Sequence, residues 1–369
     1  MDKENRNLLE YIYWRGSLSF DKDPFNEIDA LILSQFGYLN LANVVPFYPS
    51  TDEITLKDAY SIYFNHNKKT ELHVGLILPD EIFTLAEAVS KSRRFRDITM
   101  SNFVNHIQSE KVEQFSAVTF QITPKLIYIS FRGTDDSLLG WVEDARMLYD
   151  FPVSCHYDSI EYLKDVVPMY PDCKVSLGGH SKGGNISFYG GIYAPKSIQD
   201  KFENIYSFDG QGFDGALIDQ DKLNRVKDRL KLITPDTSVV GRFFDQVVTP
   251  IIVKSIYSGV NQHDTFSWQI RNDHLIRVKS YTKKGEQVHK EISDFLNSMS
   301  DEQKKELVED LQQYLLNLKA KNLIDFYKPW SIMDLFASKH RMKTVNIRRL
   351  VKFASILVGN GMVKTSIKS

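Results

Sequence analysis

The amino-acid sequence predicts an α/β protein, and three patterns in its 369 residues support this fold class. Short runs of β-branched and aromatic residues alternate with helical patterns over residues 101–283, which is typical of a mostly parallel sheet flanked by helices. The regions before and after, residues 1–100 and 284–369, have mainly helical patterns. A content of 42% apolar residues is enough for a large buried core. We therefore expect one domain over residues 1–283, formed by a helical N-terminal region and a core, followed by a helical C-terminal region.

The N-terminal region contains three predicted helices. The first is expected to begin at Asp23-Pro24, because aspartate is a favoured N-cap and proline is accepted at the first helical position. The apolar residues that follow at helical spacing are Phe25, Ile28, Leu31, Ile32 and Phe36. Similar spacing predicts two further helices near residues 56–64 and 80–90.

The core supplies the strands of the predicted sheet. Two β-rich runs flank a turn at Thr123-Pro124-Lys125. The predicted strands are residues 115–122, 126–132, 174–177, 205–208, 230–233, 255–257 and 275–281. The predicted helices between them are residues 138–148, 160–170 and 185–193.

The C-terminal region is helical and rich in charged residues. Ser300 and Gln303 match the capping-box signature of a helix N-terminus. The apolar residues on one face of that helix are Leu307, Val308, Leu311, Leu315 and Leu318. We expect this face to pack on the core.

Composition excludes several classes of partner. The formal net charge of −1 leaves no basic surface of the kind that binds nucleic acid. The first six residues are mixed and polar, unlike a signal peptide, and no segment reaches the roughly 18 apolar residues of a membrane helix. Cys155 and Cys173 match neither a disulfide framework nor a zinc site. We expect a cytosolic protein with a small-molecule ligand.

The segment Gly179-His180-Ser181-Lys182-Gly183-Gly184 matches the Gly-x-Ser-x-Gly pattern of a nucleophilic serine. A predicted strand precedes it and a predicted helix follows it, so Ser181 falls on the strand-to-helix turn that exposes a serine hydroxyl above a sheet. Glycines suit this turn because neighbouring backbone approaches closely. We interpret Ser181 as a nucleophile, and a glycine-rich turn without chemistry is the alternative.

A second strand end supplies candidate groups for stabilising an oxyanion. The strand at 126–132 leads into Gly133-Thr134. Acyl transfer requires two backbone N–H donors, one directly after the nucleophile and one after an earlier strand. The sequence therefore predicts an oxyanion hole formed by the N–H groups of Lys182 and Thr134. The Thr134 hydroxyl is a candidate third donor.

A catalytic serine needs a histidine to take its proton and a carboxylate to orient that histidine. In α/β folds with this serine turn, the carboxylate comes after the serine and before the histidine. Asp236 follows the predicted strand at 230–233 and is the preferred acid, because the acid usually follows the later strand. Asp209, after the strand at 205–208, is the alternative.

His263 is the preferred base among the four histidines that follow Asp236. It falls in a loop shortly after the predicted strand at 255–257, where a side chain can reach back over the sheet edge. The other three are His274, His289 and His340. His180 lies beside the serine, and we expect it to point away from the site and to have a structural role.

A competing motif follows the strand at 205–208. The segment Gly210-Gln211-Gly212-Phe213-Asp214-Gly215 matches Gly-x-Gly-x-x-Gly, and Asp236 lies at the distance of a ribose-binding acid. Asp209 and Asp214, however, would place two carboxylates beside a bound pyrophosphate. We therefore treat dinucleotide binding as a minor hypothesis.

The motifs located above resemble the lipase class 3 branch of the α/β-hydrolases over residues 115–263. The matching segments are Phe131-Arg132-Gly133-Thr134, Gly140-Trp141-Val142-Glu143-Asp144, Gly179-His180-Ser181-Lys182-Gly183-Gly184, Pro235-Asp236-Thr237-Ser238-Val239-Val240-Gly241 and Gln262-His263. A closer resemblance, over most of the chain, is to the bacterial proteins grouped as DUF2974, also called Mbeg-like. It is carried by Tyr13-Trp14-Arg15-Gly16, by residues 26–35 and by Phe208-Asp209-Gly210. The resemblance implies an α/β-hydrolase fold and a Ser181–Asp236–His263 triad.

These residues predict a serine hydrolase that cleaves an intracellular carboxylic ester or thioester and needs no metal or cofactor. Lys182 replaces the apolar or amide residue usual after a lipase nucleophile. We expect its side chain to be a solvated charge on the following helix, and selection of an anionic acyl group is the alternative. Either helical region, or the stretch 243–260, is a candidate lid. The alternative function is a binding or interaction protein that has the hydrolase fold without the catalysis.

Overall fold

The computed structural model describes residues 7–66, 80–108, 113–135, 137–213, 215–316 and 342–359. Within these ranges the chain forms an eight-stranded sheet and a separate two-stranded hairpin. The strands of the sheet, in their spatial order, are β1 (Ile54–Thr55), β2 (Thr99–Gln108), β3 (Glu113–Thr123), β4 (Leu126–Phe131), β5 (Lys174–His180), β6 (Phe202–Phe208), β7 (Leu230–Pro235) and β8 (Ile251–Val253). The hairpin consists of β9 (Ile270–Arg271) and β10 (His274–Leu275).

The helices of the described ranges lie before the sheet, between its strands and after it. They are α1 (Leu8–Arg15), α2 (Glu27–Phe36), α3 (Leu56–His66), α4 (Glu81–Lys91), α5 (Leu138–Arg146), α6 (Ser154–Val166), α7 (Lys182–Tyr193), α8 (Lys196–Gln199), α9 (Gln220–Val226), α10 (Lys283–Asn297), α11 (Asp301–Leu316) and α12 (Thr344–Gly359).

The sheet changes from antiparallel to parallel pairing at β4. Neighbours from β1 to β4 are antiparallel, and neighbours from β4 to β8 are parallel. Parallel neighbours need crossover connections, and those between β4 and β7 contain helices. The register pairs Phe131 with Gly179 and His180 with Phe208, so β4, β5 and β6 end at a common edge. Residues that follow these three strands can therefore meet.

Helices cover both faces of the sheet. On one face α2 packs against β4, β5 and β6, and on the other α6 and α7 pack against β3 and β5. Successive residues of β4 enter the two cores: Tyr128 packs with the N-terminal helices, and Ile127 and Ile129 pack with residues of α6 and α7. Since both of its faces are buried, β4 is an almost continuous apolar run in the sequence, with Ser130 as its one small polar residue. The fold is that of an α/β-hydrolase, as the sequence predicts.

Helix α2 begins later than expected. Asn26 is its N-cap, and the Asn26 and Asp29 side chains each accept a backbone N–H from the other residue, which completes a capping box. The expected start at Asp23-Pro24 is wrong, because the Asp23 carboxylate instead forms an ion pair with Arg15. The capping box predicted at Ser300 and Gln303 is confirmed at the start of α11.

The strand predictions differ from the structure at several places. The strand expected at 275–281 is wrong: only His274–Leu275 forms a strand, β10, and beyond it Arg277 makes a single isolated bridge to Val253. Residues 255–257 are not a strand, and the last parallel strand, β8, lies just before them at Ile251–Val253. The long strand β2 was not predicted, because its sequence mixes polar and apolar residues without a clear β-rich run. Among the described residues, no helix has the length and apolar character needed to cross a membrane.

Candidate active site

Ser181 lies on the turn between β5 and α7 in a strained backbone conformation, with φ 58° and ψ −131°. The glycines on either side of it allow this turn. A Cβ atom on Gly179 would lie 2.3 Å from the backbone of Gly183, and one on Gly183 would lie 2.1 Å from the Phe131 carbonyl oxygen. The predicted strand–turn–helix context of Ser181 is therefore present, and the start of α7 is held directly against the end of β4.

His263 is oriented by Asp209. His263 Nδ1 lies 2.7 Å from Asp209 Oδ2, and because a carboxylate only accepts hydrogen bonds, Nδ1 carries the proton. The other ring nitrogen, Nε2, is then the basic one. Asp209 is buried, and its second oxygen accepts the Ser238 hydroxyl at 2.5 Å and the Gly241 N–H at 3.2 Å. These bonds hold the carboxylate in place beside His263.

The structure brings Asp209, and not the preferred Asp236, into contact with His263. Asp236 Oδ1 instead accepts from Gln262 Nε2 at 2.7 Å, so it contacts the residue before the histidine. The physical reason is strand order: β6 lies beside β5, whereas β7 is one strand further from Ser181. The sequence does contain a signal for Asp209, which directly follows the predicted strand at 205–208 and precedes a glycine. The structure explains that glycine, since a Cβ on Gly210 would lie 2.8 Å from the Ser181 carbonyl oxygen.

His180 does not point away from the site. Its buried imidazole lines the same cavity as Ser181 and His263, and its ring centre lies 4.3 Å from that of His263. The expected outward orientation is therefore wrong, because the end of β5 directs this side chain towards the His263 loop.

The turn after β4 is held by Asp144. The Thr134 hydroxyl donates to Asp144 Oδ2, so it is committed to this carboxylate and is not a free third donor. Burial raises the pKa of Asp144 to about 6, although Lys182 and Thr134 act in the opposite direction. The Thr134 hydroxyl bond and the contact between Gly183 and β4 place the Thr134 turn beside the start of α7.

Lys182 is buried, contrary to the expectation of a solvated charge. Its Nζ lies 2.8 Å from Glu143 Oε2, 3.6 Å from Asp144 Oδ1 and 3.3 Å from Gln114 Oε1. Burial lowers the pKa of Lys182, but the two carboxylates raise it by more, and the net pKa is raised. Because its ammonium group is committed to α5, the side chain is unsuited to select an anionic acyl group.

A cavity of about 730 Å³ contains Ser181, Thr134 and His263 in its wall. The apolar residues of the core domain that line it include Leu148, Val240, Phe243, Phe244 and Val260. The C-terminal region contributes Phe295, Leu296, Met299, Leu307, Val308, Leu311, Leu350 and Phe353. In the described part of the chain no hydrogen bond joins Ser181 and His263; bonds of this kind tighten when substrate is bound.

The glycine motif after β6 does not form a dinucleotide site. A phosphate-binding turn leads directly into a long helix, whereas here only a three-residue 3-10 turn, Gly215–Leu217, follows. A Cβ on Gly212 would lie 2.0 Å from the Asp245 carbonyl oxygen, so this glycine serves chain packing. Asp214 lies outside the described residues.

The sheet, the serine turn and the neighbouring acid–histidine pair define a protein of the α/β-hydrolase class. The chain belongs to the Mbeg1-like family, whose model matches residues 89–313, more than half of its length. This confirms the closer of the two resemblances found in the sequence. A comparison with curated proteins gave no match.

Several solved lipase structures are similar to this chain at low identity. The native propeptide complex of Rhizomucor miehei lipase is 18% identical with a TM-score of 0.34, and the match covers 46% of this chain and 58% of that one. Lip2 lipase from Yarrowia lipolytica is 14% identical with a TM-score of 0.36, covering 68% and 81%. The lipase from Rhizopus microsporus var. chinensis is 15% identical with a TM-score of 0.33, covering 57% and 80%.

Proposed function

We propose that this protein is a serine ester hydrolase in which Ser181 is the nucleophile, His263 the general base and Asp209 the orienting carboxylate. The observation that carries the proposal is the 2.7 Å hydrogen bond between Asp209 and His263, in the wall of the cavity that also contains Ser181. A serine on a strained turn and an imidazole of fixed tautomer, both in the wall of one cavity, are the groups that nucleophilic acyl transfer requires.

In the proposed reaction, Ser181 Oγ attacks the carbonyl carbon of a bound ester while His263 Nε2 takes the hydroxyl proton. The tetrahedral intermediate collapses to an acyl-enzyme, and His263 gives the proton to the departing alcohol or thiol. Water then attacks the acyl-enzyme with the same histidine as base, and free Ser181 is restored. The Asp209 carboxylate stabilises the imidazolium that forms in each half of the reaction.

The proposed oxyanion donors are the backbone N–H groups of Lys182 and Thr134. The Lys182 N–H belongs to the first turn of α7 and has no partner within that helix, and the helix dipole favours negative charge there. Thr134 lines the cavity with Ser181, and its side chain is held by Asp144. One donor of this type commonly contributes about 10²- to 10³-fold to kcat.

The lining of the cavity favours a substrate with an apolar acyl group. Aliphatic and aromatic side chains from the core and from α10, α11 and α12 form much of its wall. Burying a hydrocarbon chain against such a wall is favourable by about 25 cal/mol per Å² of apolar surface removed from water. Esters and thioesters present the same carbonyl carbon to Ser181, so both belong to the proposed substrate class.

A fluorophosphonate probe tests the proposal directly, because it reacts covalently with an activated serine. We expect labelling of the peptide that contains Ser181 in the unaltered protein and no labelling in Ser181→Ala. Ser187→Ala is the matched control, since Ser187 is a buried serine of α7, the helix that begins directly after Ser181, and its hydroxyl donates to two backbone oxygens. Ser181→Ala should also lose hydrolysis of p-nitrophenyl esters while its circular dichroism spectrum is retained. Absence of labelling at high probe concentration in the unaltered protein would favour the non-catalytic binding protein.

A further inference from the structure

His180 is connected to the backbone of the proposed general base. His180 Nε2 lies 2.9 Å from the carbonyl oxygen of His263, and His180 Nδ1 lies 3.0 Å from the hydroxyl oxygen of Tyr38. Only 3% of His180 and 7% of Tyr38 are exposed, so water competes little for these bonds. A buried chain of hydrogen bonds therefore runs from the N-terminal region to the His263 loop.

The direction of these bonds follows from the groups involved. A backbone carbonyl only accepts, so His180 Nε2 carries the proton and donates to His263. Burial, and to a lesser extent the neighbouring His263, hold the pKa of His180 well below its usual range, so the ring is neutral and Nδ1 is an acceptor. The Tyr38 hydroxyl then donates to Nδ1 at 3.0 Å, the nearer of its two acceptors; the other is the His180 carbonyl oxygen at 3.3 Å. Tyr38 thereby selects the one tautomer of His180 that can hold the His263 carbonyl.

Tyr38 also contacts the turn proposed to bind the oxyanion. A Cβ on Gly133 would lie 2.1 Å from the Tyr38 hydroxyl oxygen and 2.6 Å from the His180 carbonyl oxygen. Gly133 immediately precedes Thr134, so the hydroxyl of Tyr38 lies between the oxyanion turn and His180. A residue that follows α2, on the N-terminal side of the sheet, is thus packed into the centre of the site.

We propose that Tyr38 and His180 are positioning residues for catalysis, which hold the backbone of His263 so that its imidazole stays aligned between Asp209 and Ser181. Gln262, the residue before His263, is held in a similar way. Buried Trp268 donates its Nε1–H to the Gln262 carbonyl oxygen at 2.8 Å. Two successive carbonyls of the loop are therefore fixed by buried ring N–H donors. This inference rests on the proposed function, because it assigns a role relative to the proposed base.

The two residues act on the base, so their removal should lower kcat and leave KM nearly unchanged. A displacement of about 1 Å in a catalytic group can cost about 10²-fold. We expect His180→Leu to lower kcat on a p-nitrophenyl ester by about 10- to 100-fold, with KM changed by less than about twofold. Tyr38→Phe, which removes one hydrogen bond and the tautomer selection, should lower kcat by about 3- to 10-fold.

The conservative variant His180→Gln separates positioning from general packing. Its side-chain amide can supply an N–H near the place of the imidazole Nε2, so it should recover most of the kcat that His180→Leu loses. Tyr128→Phe is the matched control for Tyr38→Phe, because Tyr128 has a buried hydroxyl that bonds to Ser34 of α2 and lies outside the site. If His180→Leu does not fold, His180→Gln and Tyr38→Phe still provide the test.

The outcomes distinguish this inference from the proposed function. The positioning role is supported if His180→Leu and Tyr38→Phe lower kcat at constant KM. It also requires that His180→Gln recovers most of kcat and that Tyr128→Phe has normal kinetics. Unchanged kcat in His180→Leu and Tyr38→Phe, or equal losses of kcat in His180→Leu and His180→Gln, would overturn the positioning role. Labelling of Ser181 by a fluorophosphonate in the unaltered protein would show that the proposed function still stands. Failure of the unaltered protein to be labelled would instead overturn the proposed function itself.

Discussion

Two residues of the proposed triad have left-handed backbone conformations that are uncommon outside glycine: φ is 58° at Ser181 and 50° at Asp209. Such conformations cost about 1–3 kcal/mol each and persist only where surrounding contacts enforce them. The Ser181 N–H donates to the Phe208 carbonyl at 2.9 Å, which ties the serine turn to the strand that ends at Asp209. The two strained residues, which both belong to the proposed triad, are therefore on directly connected turns.

The choice between the two aspartates can be tested with a matched pair of variants. Asp209→Asn should lower kcat about 10³- to 10⁴-fold, because an amide in place of the carboxylate no longer stabilises the correct tautomer or the imidazolium of His263. Asp236→Asn should retain activity within about tenfold of the unaltered protein, since Asp236 contacts Gln262 and not the base. Ester hydrolysis and thermal unfolding are measured for both. A large loss in Asp236→Asn alone would reverse the assignment.

At the scale of elements, α5 and α7 are joined by a buried ion pair, and the C-terminal helices complete the cavity. Lys182 at the start of α7 and Glu143 of α5 are both fully buried and lie 2.8 Å apart. Helices α11 and α12 contribute Leu307 and Phe353 to the cavity, and α12 also packs on α10. Three residues of the apolar face predicted for this helix, Leu307, Val308 and Leu311, line the cavity, which their spacing alone does not indicate. Leu318 of the same predicted face lies outside the described residues.

Breaking the buried pair between α5 and α7 should destabilise the fold. Lys182→Met leaves the Glu143 carboxylate buried without its cation, and the free energy of unfolding should fall by about 3–5 kcal/mol. Adding Glu143→Gln removes the stranded charge and retains an acceptor for the Gln114 N–H, so the double variant should regain most of this loss. Urea unfolding measures both. Equal stability of the single and double variants would show that the charge pairing is unimportant.

The contribution of α11 to the cavity predicts a change in acyl-chain preference. Leu307→Trp places a larger side chain in the cavity wall and should lower kcat/KM for long-chain p-nitrophenyl esters about tenfold more than for the acetate ester, because it removes space for the chain. Lys305→Trp is the control, since Lys305 is 57% exposed on the same helix. Equal effects of the Leu307 variant on short and long esters would exclude this part of the cavity as an acyl site.

In the whole molecule, the sheet separates two cores but the site draws on both sides of it. The N-terminal helices and the α6–α7 layer bury opposite faces of β4 and its neighbours. Tyr38 nevertheless reaches His180 from the N-terminal side, and His156 of α6 reaches Asn185 of α7 from the other, at 2.6 Å. Asn185 in turn donates to the Gly212 carbonyl in the loop after Asp209. The loops of the site are thus braced by both layers.

The buried His156 predicts an acid-dependent loss of stability. Burial lowers its pKa from 6.5 to about 4, so between these values the unfolded chain binds a proton that the folded protein does not. The neutral His156 therefore makes its full contribution to the free energy of unfolding above pH 6.5. This contribution, about 3 kcal/mol, is lost as the pH falls towards 4. His156→Gln, which can retain a donor to Asn185, should lose correspondingly less stability over this range.

The effect of His156 is the difference in free energy of unfolding between the unaltered protein and His156→Gln. Burial raises the pKa values of Asp144 and Asp264 to about 6, and these carboxyls favour the folded state as the pH falls below 6. Their contribution is common to the unaltered protein and His156→Gln and cancels in the difference. Urea unfolding at several pH values between 4 and 7.5 measures this difference. If the free energy of unfolding changes equally with pH in both proteins, the prediction is contradicted.

By itself, the sequence determined the alternation of strands and helices, the serine turn and the loop that carries His263. These features depend on local spacing, and Gly179 and Gly183 mark close backbone approaches that the serine turn needs. Only the tertiary structure showed that Asp209, and not Asp236, contacts His263. It likewise showed that Lys182 is buried against Glu143 and that His180 faces the His263 loop. Each of these outcomes depends on distances between strands and on exclusion of water by segments far apart in the chain. Local residue patterns contain neither quantity.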